Sequence, residues 1–346
     1  SASLTLDTSA DLGDAFTVSV AADDQVTNAA ESTDVSLSLA GIDGDAASVS
    51  VEISDGTNTV NADATNDGSG WVVADQDLSG LADGALTVSA TVTDQAGNSA
   101  PAVSASLTLD TVADLGSDLS GIFVDGDDSV MNADEAADGA ILVSGFSAPD
   151  LQSVAATVTD GAGGITVTAS LGDIANSIPP SVAATIVDYD GDLTVRFSSS
   201  LTSDAVVATL VAEPMDPSVG GLTHVVDFTD PLNLAEAGDL AALFAGGQFY
   251  AQAYGADGSS LVSSLADQSN ISVSVAVTDV NGNTDAVSPS DVAVLDTTAE
   301  VEGDLAVAVD SVINDAEAGT VQITLSGVDA DVASPGGIVV TVGDSN

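Results

Sequence analysis

Oxygen-donor side chains make up most of the residues capable of chemistry in this chain. Of 346 residues, 54 are Asp or Glu; Glu holds only eight positions, so 46 are Asp. Asp favours turns and oxygen-ligand loops, whereas Glu favours helices. Their spacing recurs. Asp-x-Val-x-Asn-x-x-Glu stands at 24–31, 128–135 and 310–317; Leu-Asp-Thr stands at 6–8, 109–111 and 295–297. Asp-x-x-Gly-Asn stands at 94–98 and 279–283. Carboxylates and carboxamides grouped in this way are hard oxygen donors, suited to cations such as Ca2+.

The rest of the composition excludes other chemistries. The formal charge is −53, with Arg196 the single basic residue, His224 the single histidine, and no Lys or Cys. One arginine cannot neutralise a nucleic-acid backbone, so no nucleic acid is expected as partner. Lysine bases, Schiff bases, thiol catalysis, disulfides and cysteine zinc sites are absent. Acidic membrane surfaces would repel the chain, and no apolar run reaches the ~18 residues of a membrane span. No Gly-x-Ser-x-Gly elbow surrounds any serine, and with 54 acids a carboxylate pair is expected by chance. The expectation is that the chain is not an enzyme. A hydrophobic content of 45% and a mean hydropathy of +0.34 still supply material for folded cores. Ser1 opens no signal-peptide pattern, and the sequence reads as a piece of a longer chain.

Repeats set the organisation. SASLTLDTSADLG at 1–13 returns as SASLTLDTVADLG at 104–116, and LADGALTVSATVTDQAGN at 81–98 returns as LADQSNISVSVAVTDVNGN at 265–283. The expected division gives residues 1–7 to the last strand of a preceding unit. Residues 8–111 form a first domain, 112–297 a second, and 298–346 part of a third. Apolar and small polar residues alternate in LTVSATVTD and ISVSVAVTD, and Asp-Gly pairs separate such runs. About seven short strands in roughly 100 residues is the arithmetic of a two-sheet sandwich. The fold class is therefore all-β, in tandem immunoglobulin-like sandwiches, the second enlarged by an insertion with one short helix. Trp71, the sole Trp, is expected to fill a core or turn position.

The order DxVxNxxE, DGxGW, LADG, a VTVTD-type strand, DxAGN and LDT resembles the bacterial immunoglobulin-like tandem repeats of giant secreted adhesins and biofilm proteins. Residues 1–111 carry the pattern fully, 112–171 and 263–346 in parts, and 172–262 not at all. The resemblance implies RTX-type export by type I secretion, an extracellular or cell-surface location, and calcium at the joints between stacked domains.

Sandwich topology indicates where the repeated acids gather. The loop with Asp24, Asn28 and Glu31 falls at the trailing end of the first domain, next to linker Asp110. The loop with Asp94 and Asn98 falls at the leading end, beside Asp7. The first full joint then collects Asp24, Asn28, Glu31, Asp110, Asp279 and Asn283. Equivalent ligands elsewhere are Asp128, Asn132, Glu135 and Asp296, then Asp310, Asn314 and Glu317. Such a set suits Ca2+, which takes 6–8 oxygens at about 2.3–2.6 Å. Asn and Asp in turns also bond their own backbone, so a purely structural reading stands beside the cation reading. No EF-hand is present, because Val130 and Ala136 occupy its glycine and glutamate positions after Asp125.

The insertion, about 172–262, holds Arg196, His224, all three Tyr and four Phe. VAATIVDYDGDLTVRF at 182–197 reads as a hairpin around its Asp-Gly-Asp turn. Residues 230–247 read as a helix capped by Asn233 and Glu236, with Leu234, Leu240, Leu243 and Phe244 on its apolar face. GQFYAQAYG at 247–255 reads as a strand with Tyr250 and Tyr254 on one face, a sugar platform or, preferably, a small secondary core. Three functions follow: a calcium-stabilised stiff extender for adhesion, a self-assembling surface-layer, sheath or matrix-fibre subunit, and a carbohydrate-binding module in the insertion. The corresponding partners are neighbouring domains of the same chain, laterally associated copies, and a glycan.

Overall fold

The computed structural model describes residues 6–10, 16–20, 26–100, 102–113, 118–124, 129–146, 150–173, 177–187, 191–201, 206–210, 225–298, 306–309, 320–326, 339–341 and 343. The fold is all-β. Eight strands precede residue 110: β1 (Thr17–Val20), β2 (Val26–Thr27), β3 (Val35–Ala40), β4 (Ala46–Ser54), β5 (Thr59–Asn66), β6 (Trp71–Gln76), β7 (Gly84–Asp94) and β8 (Val103–Leu109). Their order is β1-β3-β6-β5-β4-β7-β8-β2. β5 links the two layers, pairing with β4 through Ala64 and with β6 only at Thr65 and Asn66. β2 runs parallel to β8, with Val26 opposite Thr108; the other pairings are antiparallel. Period-2 patterning puts Leu86, Val88, Ala90 and Val92 of β7 into the core with Val49, Val51 and Ile53 of β4. Burying each larger aliphatic chain contributes about 1.5–3 kcal/mol. Trp71 joins the same core.

A second set of strands follows: β9 (Ser120–Phe123), β10 (Val130–Met131), β11 (Ile141–Ser144), β12 (Leu151–Thr159), β13 (Gly164–Ser170), β14 (Ser181–Val187), β15 (Leu193–Ser198), β16 (Val206–Leu210), β17 (Val225–Pro231), β18 (Gln248–Gly255), β19 (Ser269–Asp279) and β20 (Thr284–Leu295). Helices α1 (Ala133–Asp138) and α2 (Leu234–Ala245) and a 3-10 turn at Leu261–Ser264 lie among them. A separate pair, β21 (Ala306–Val309) and β22 (Ile323–Ser326), is antiparallel. One sheet reads β10-β20-β19-β12-β13-β14-β17 and the other β16-β15-β18-β11-β9. This repeats the first plan: β9-β11-β18 matches β1-β3-β6, and β13-β12-β19-β20-β10 matches β5-β4-β7-β8-β2.

Three expectations for the inserted stretch are corrected. Residues 182–197 form no hairpin, because β14 pairs with β13 and β17 while β15 pairs with β16 and β18 in the other sheet. The chain crosses between layers there, and alternating residues alone do not distinguish a crossing from a turn. Among the described residues, no separate secondary core forms either. Val182, Val195, Phe197, Leu240, Phe244 and Phe249 share one cluster with Ile271 and Leu295. Phe146, Phe244 and Phe249 pack with ring centroids 5.5–6.0 Å apart, Phe244 stacked on Phe249 and Phe146 edge-on or tilted to them. Finally, Leu234 of α2 is exposed while Leu240, Leu243 and Phe244 are buried. At about 100° per residue, Leu234 lies on the side opposite Leu243. The expected capping box is present: Asn233 Oδ1 accepts from Glu236 N and Glu236 Oε2 accepts from Asn233 N.

β9 seals one edge of the second sandwich. A Cβ on Gly121 would collide with the methyls of Val275 and Val273, so only glycine allows this approach. Gly121 N donates to Ser290 Oγ (2.6 Å) and Phe123 N to Asp291 Oδ2 (2.9 Å), which satisfies edge amides with side chains of β20. The two apolar clusters share no residue; the first spans Val18–Leu109 and the second Ala113–Leu295.

Candidate metal centre

The loops after β7 and β19 have one construction. Asp94 N donates to Asn98 O (3.0 Å) and Asp279 N to Asn283 O (3.1 Å), closing each Asp-x-x-Gly-Asn turn. Gly97 and Gly282 take φ of +89° and +84°, a left-handed conformation that explains the glycine. Asp94 Oδ1 accepts from Asn98 N (2.8 Å) and Oδ2 from Asn98 Nδ2 (2.7 Å); Asp279 and Asn283 repeat this at 2.9 and 2.8 Å. Both aspartates are buried. Burial pushes the Asp94 carboxyl up, but the Asn98 amide and the loop N–H groups outweigh it and hold the group below the usual value.

Each buried aspartate meets two more acids. Asp7, Asp45 and Asp94 each bring a carboxylate oxygen within 4.8 Å of the others, and so do Asp110, Asp150 and Asp279. Ligands on opposite sides of a Ca2+ at about 2.4 Å are about 4.8 Å apart, so either trio is compact enough to be a candidate site for one ion. Asp45 and Asp150 were not foreseen. They immediately precede the corresponding strands β4 and β12, where Gln95 N bonds Asp45 O (3.1 Å) and Val280 N bonds Asp150 O (2.8 Å). A short repeat marks them, Asp-x-x-Ser-Val at 45–49 and 150–154. Burial raises the Asp110 carboxyl, the Asn281 amide offsets part of this, and the charges of Asp279, Asp150 and Asp83 raise it further. Asp45 is raised by desolvation and then by Asp43, Asp7 and Asp94. Oδ1 of Asp150 is buried without a hydrogen-bond partner, an oxygen that a cation would satisfy.

The Asn and Glu of the Asp-x-Val-x-Asn-x-x-Glu repeat serve the backbone. Asn28 Oδ1 accepts from Ala30 N (2.9 Å) and Glu31 N (3.1 Å), while Glu31 Oε2 accepts from Asn28 N (3.1 Å). Asn132 and Glu135 make the same capping box at the start of α1. In this arrangement the carboxamide oxygens of Asn28 and Asn132 are already engaged. The Val-x pair of the motif forms β2 and β10, fixing the linker: Asp110 N donates to Thr27 O and Asp296 N to Met131 O, both at 3.0 Å. The neighbouring threonines are held by the LAD loops, Thr111 by Asp83 and Thr297 by Asp267. Asp24, Asp128, Asp310, Asn314, Glu317 and His224 lie outside the described residues.

At the joint, the Asn28–Ala29 turn meets the 279–283 loop. Asn28 Nδ2 donates to Asn281 O (3.0 Å) and Ala29 N to Asn283 Oδ1 (2.8 Å). Asn283 Nδ2 donates to Asp110 O (2.8 Å), and Asn281 Nδ2 to Asp110 Oδ2 (2.5 Å). Of the joint residues expected from sequence, Asn28, Asp110, Asp279 and Asn283 are thus together; Glu31 stays in its cap, and Asn281 and Asp150 are additions. Elsewhere, half-buried Tyr254 donates through its hydroxyl to Asp138 O (3.3 Å).

No curated protein matches the chain. Among solved structures, a Ca2+-stabilized adhesin that helps an Antarctic bacterium reach out and bind ice is 22% identical, covering 92% of this chain and 83% of its own, at a TM-score of 0.27. A tetra-tandem repeat from the extending region of a large adhesion protein is 21% identical, covering 86% and 77%, at 0.22. A bacterial ice-binding adhesin is 15% identical, covering 83% and 100%, at 0.24. Likenesses at these scores carry no functional weight. No helix among the described residues is long and apolar enough to cross a membrane. Residues 4–111, which include all eight strands of the first sandwich, match the family model of the bacterial Ig-like domain.

Proposed function

We propose that the chain is a run of Ig-like domains, 8–111, 112–297 and part of a third over 298–346, acting as a calcium-stabilised stiff extender of a bacterial surface protein. The observation that carries the reading is the convergence of linker Asp110 with Asp150 and Asp279 of the following sandwich. Two like charges about 4 Å apart repel by about 4 kcal/mol at an effective dielectric of about 20. A divalent cation reverses the sign of that interaction and ties the linker to the next domain. Asp7, Asp45 and Asp94 repeat the donor set at the leading end of the first sandwich, which supports a series of similar joints. The family match of residues 4–111 and the repeat order support an extracellular structural role rather than catalysis.

Isothermal titration and calorimetry with calcium and with chelator test it. A ligand at a hundredfold excess over Kd adds about 2.7 kcal/mol to the folded state, so calcium should raise the melting temperature. Asp150→Asn should weaken binding while leaving the strands folded. An unchanged transition and no binding heat at constant ionic strength would overturn the reading.

A further inference from the structure

The Asp279–Asn283 loop is more than a ligand loop: we infer that it is a socket for the preceding domain's capped turn, read through the Asn283 carboxamide. The joint then holds one orientation through hydrogen bonds alone, with or without a cation. Asn283 is 4% exposed, and both halves of its amide are engaged. Its oxygen accepts from Ala29 N, and its nitrogen donates to Asp110 O and to Asp279 Oδ2. One side chain therefore touches the trailing turn of the first sandwich, the linker and its own loop. Asn281 adds a second connection, accepting from Asn28 at its backbone oxygen and donating to Asp110 at its side chain.

Two features make this a specific interface rather than incidental proximity. The apolar clusters share no residue, so polar groups must define the orientation. The turn is also built to present its donor: the Asn28 cap engages Ala30 N and Glu31 N, which leaves Ala29 N for the socket. On the socket side, Asn98 repeats the bonds of Asn283 to its own loop. That part of the geometry belongs to the sandwich itself and is pre-organised for docking. A carboxamide is required because aspartate loses the donor to Asp110 O, and alanine loses both bonds.

The inference stands apart from calcium binding and is tested on the full chain by pulsed electron paramagnetic resonance. The protein has no cysteine, so Ser50→Cys and Val292→Cys place one spin label on each sandwich without background. Wild-type protein should give a narrow distance distribution in chelator. Ala29→Pro removes the donating N–H and puts a ring methylene in its place, in a turn whose Asn28 cap bonds are kept. It should broaden the distribution about twofold, as for a swivelling linker. Asn283→Ala should do the same, with circular dichroism showing that both variants stay folded. A broad wild-type distribution in chelator, or an unchanged one in Ala29→Pro, overturns the socket. The first result would still leave calcium as the agent that orders the joint; absence of calcium binding would leave the socket intact.

Discussion

Asp110, in the linker, and Asp267, in the second LAD loop, respond to pH in opposite directions. Asp267 accepts from Thr298 Oγ1, Thr297 N and Thr297 Oγ1, which lowers its pKa from 3.8 to about 2. The unfolded state then binds more protons between those values, so this contribution is present above pH 3.8 and lost as pH falls towards 2. Asp110 is raised by burial and by its acidic neighbours, so just above pH 3.8 the folded state binds more protons and stability falls as pH rises. In chelator, Asp267→Asn should flatten the acid-side loss in denaturation midpoint, and Asp110→Asn should remove the opposing slope. Equal pH profiles for both variants and wild type would refute the assignment. Sequence repeats identified Asp7, Asp94, Asp110 and Asp279 because a recurring motif surrounds each. Asp45 and Asp150 were harder to find, because their signal is one Asp-x-x-Ser-Val pair inside strand-like text, and only sheet pairing brings them to the loop.

Element existence was legible wherever one face of a strand is buried, because the period-2 pattern is then strict. β7 and β19 begin and end within a few residues of the repeated segments. The crossing between β14 and β15 was illegible because pattern reports burial, not partner. The Asn-x-x-Glu spacing serves a capping box as readily as a ligand pair, and at Asn28, Asn132 and Asn233 alike it closes a cap. Asn132→Ala should therefore destabilise the second sandwich by about 1 kcal/mol even in chelator, measured by urea denaturation. Gly121→Ala should cost more, about 1–3 kcal/mol, because its methyl must displace Val273 or Val275 in a close-packed core. A smaller loss for Gly121→Ala than for Asn132→Ala would contradict the tight seat of β9.

At the scale of the molecule, the two apolar clusters share no residue, and hydrogen bonds among the described residues link them at the joint, so their unfolding should be separable. The second cluster includes the inserted strands and five phenylalanines, Phe123, Phe146, Phe197, Phe244 and Phe249, while Trp71 reports on the first alone. Circular dichroism follows both sandwiches, whereas tryptophan fluorescence follows one. In chelator we expect two thermal steps by circular dichroism, only one coinciding with the Trp71 transition. Calcium held by Asp110 with Asp150 and Asp279 would bind only when both sides of the joint are folded. Binding linkage then stabilises each sandwich through the other, and the two steps should draw together as calcium rises. Asp150→Asn should keep them apart at the same calcium concentration. A single transition shared by both probes in chelator would mean that the joint already couples the cores fully, and that the cation adds nothing to their cooperativity.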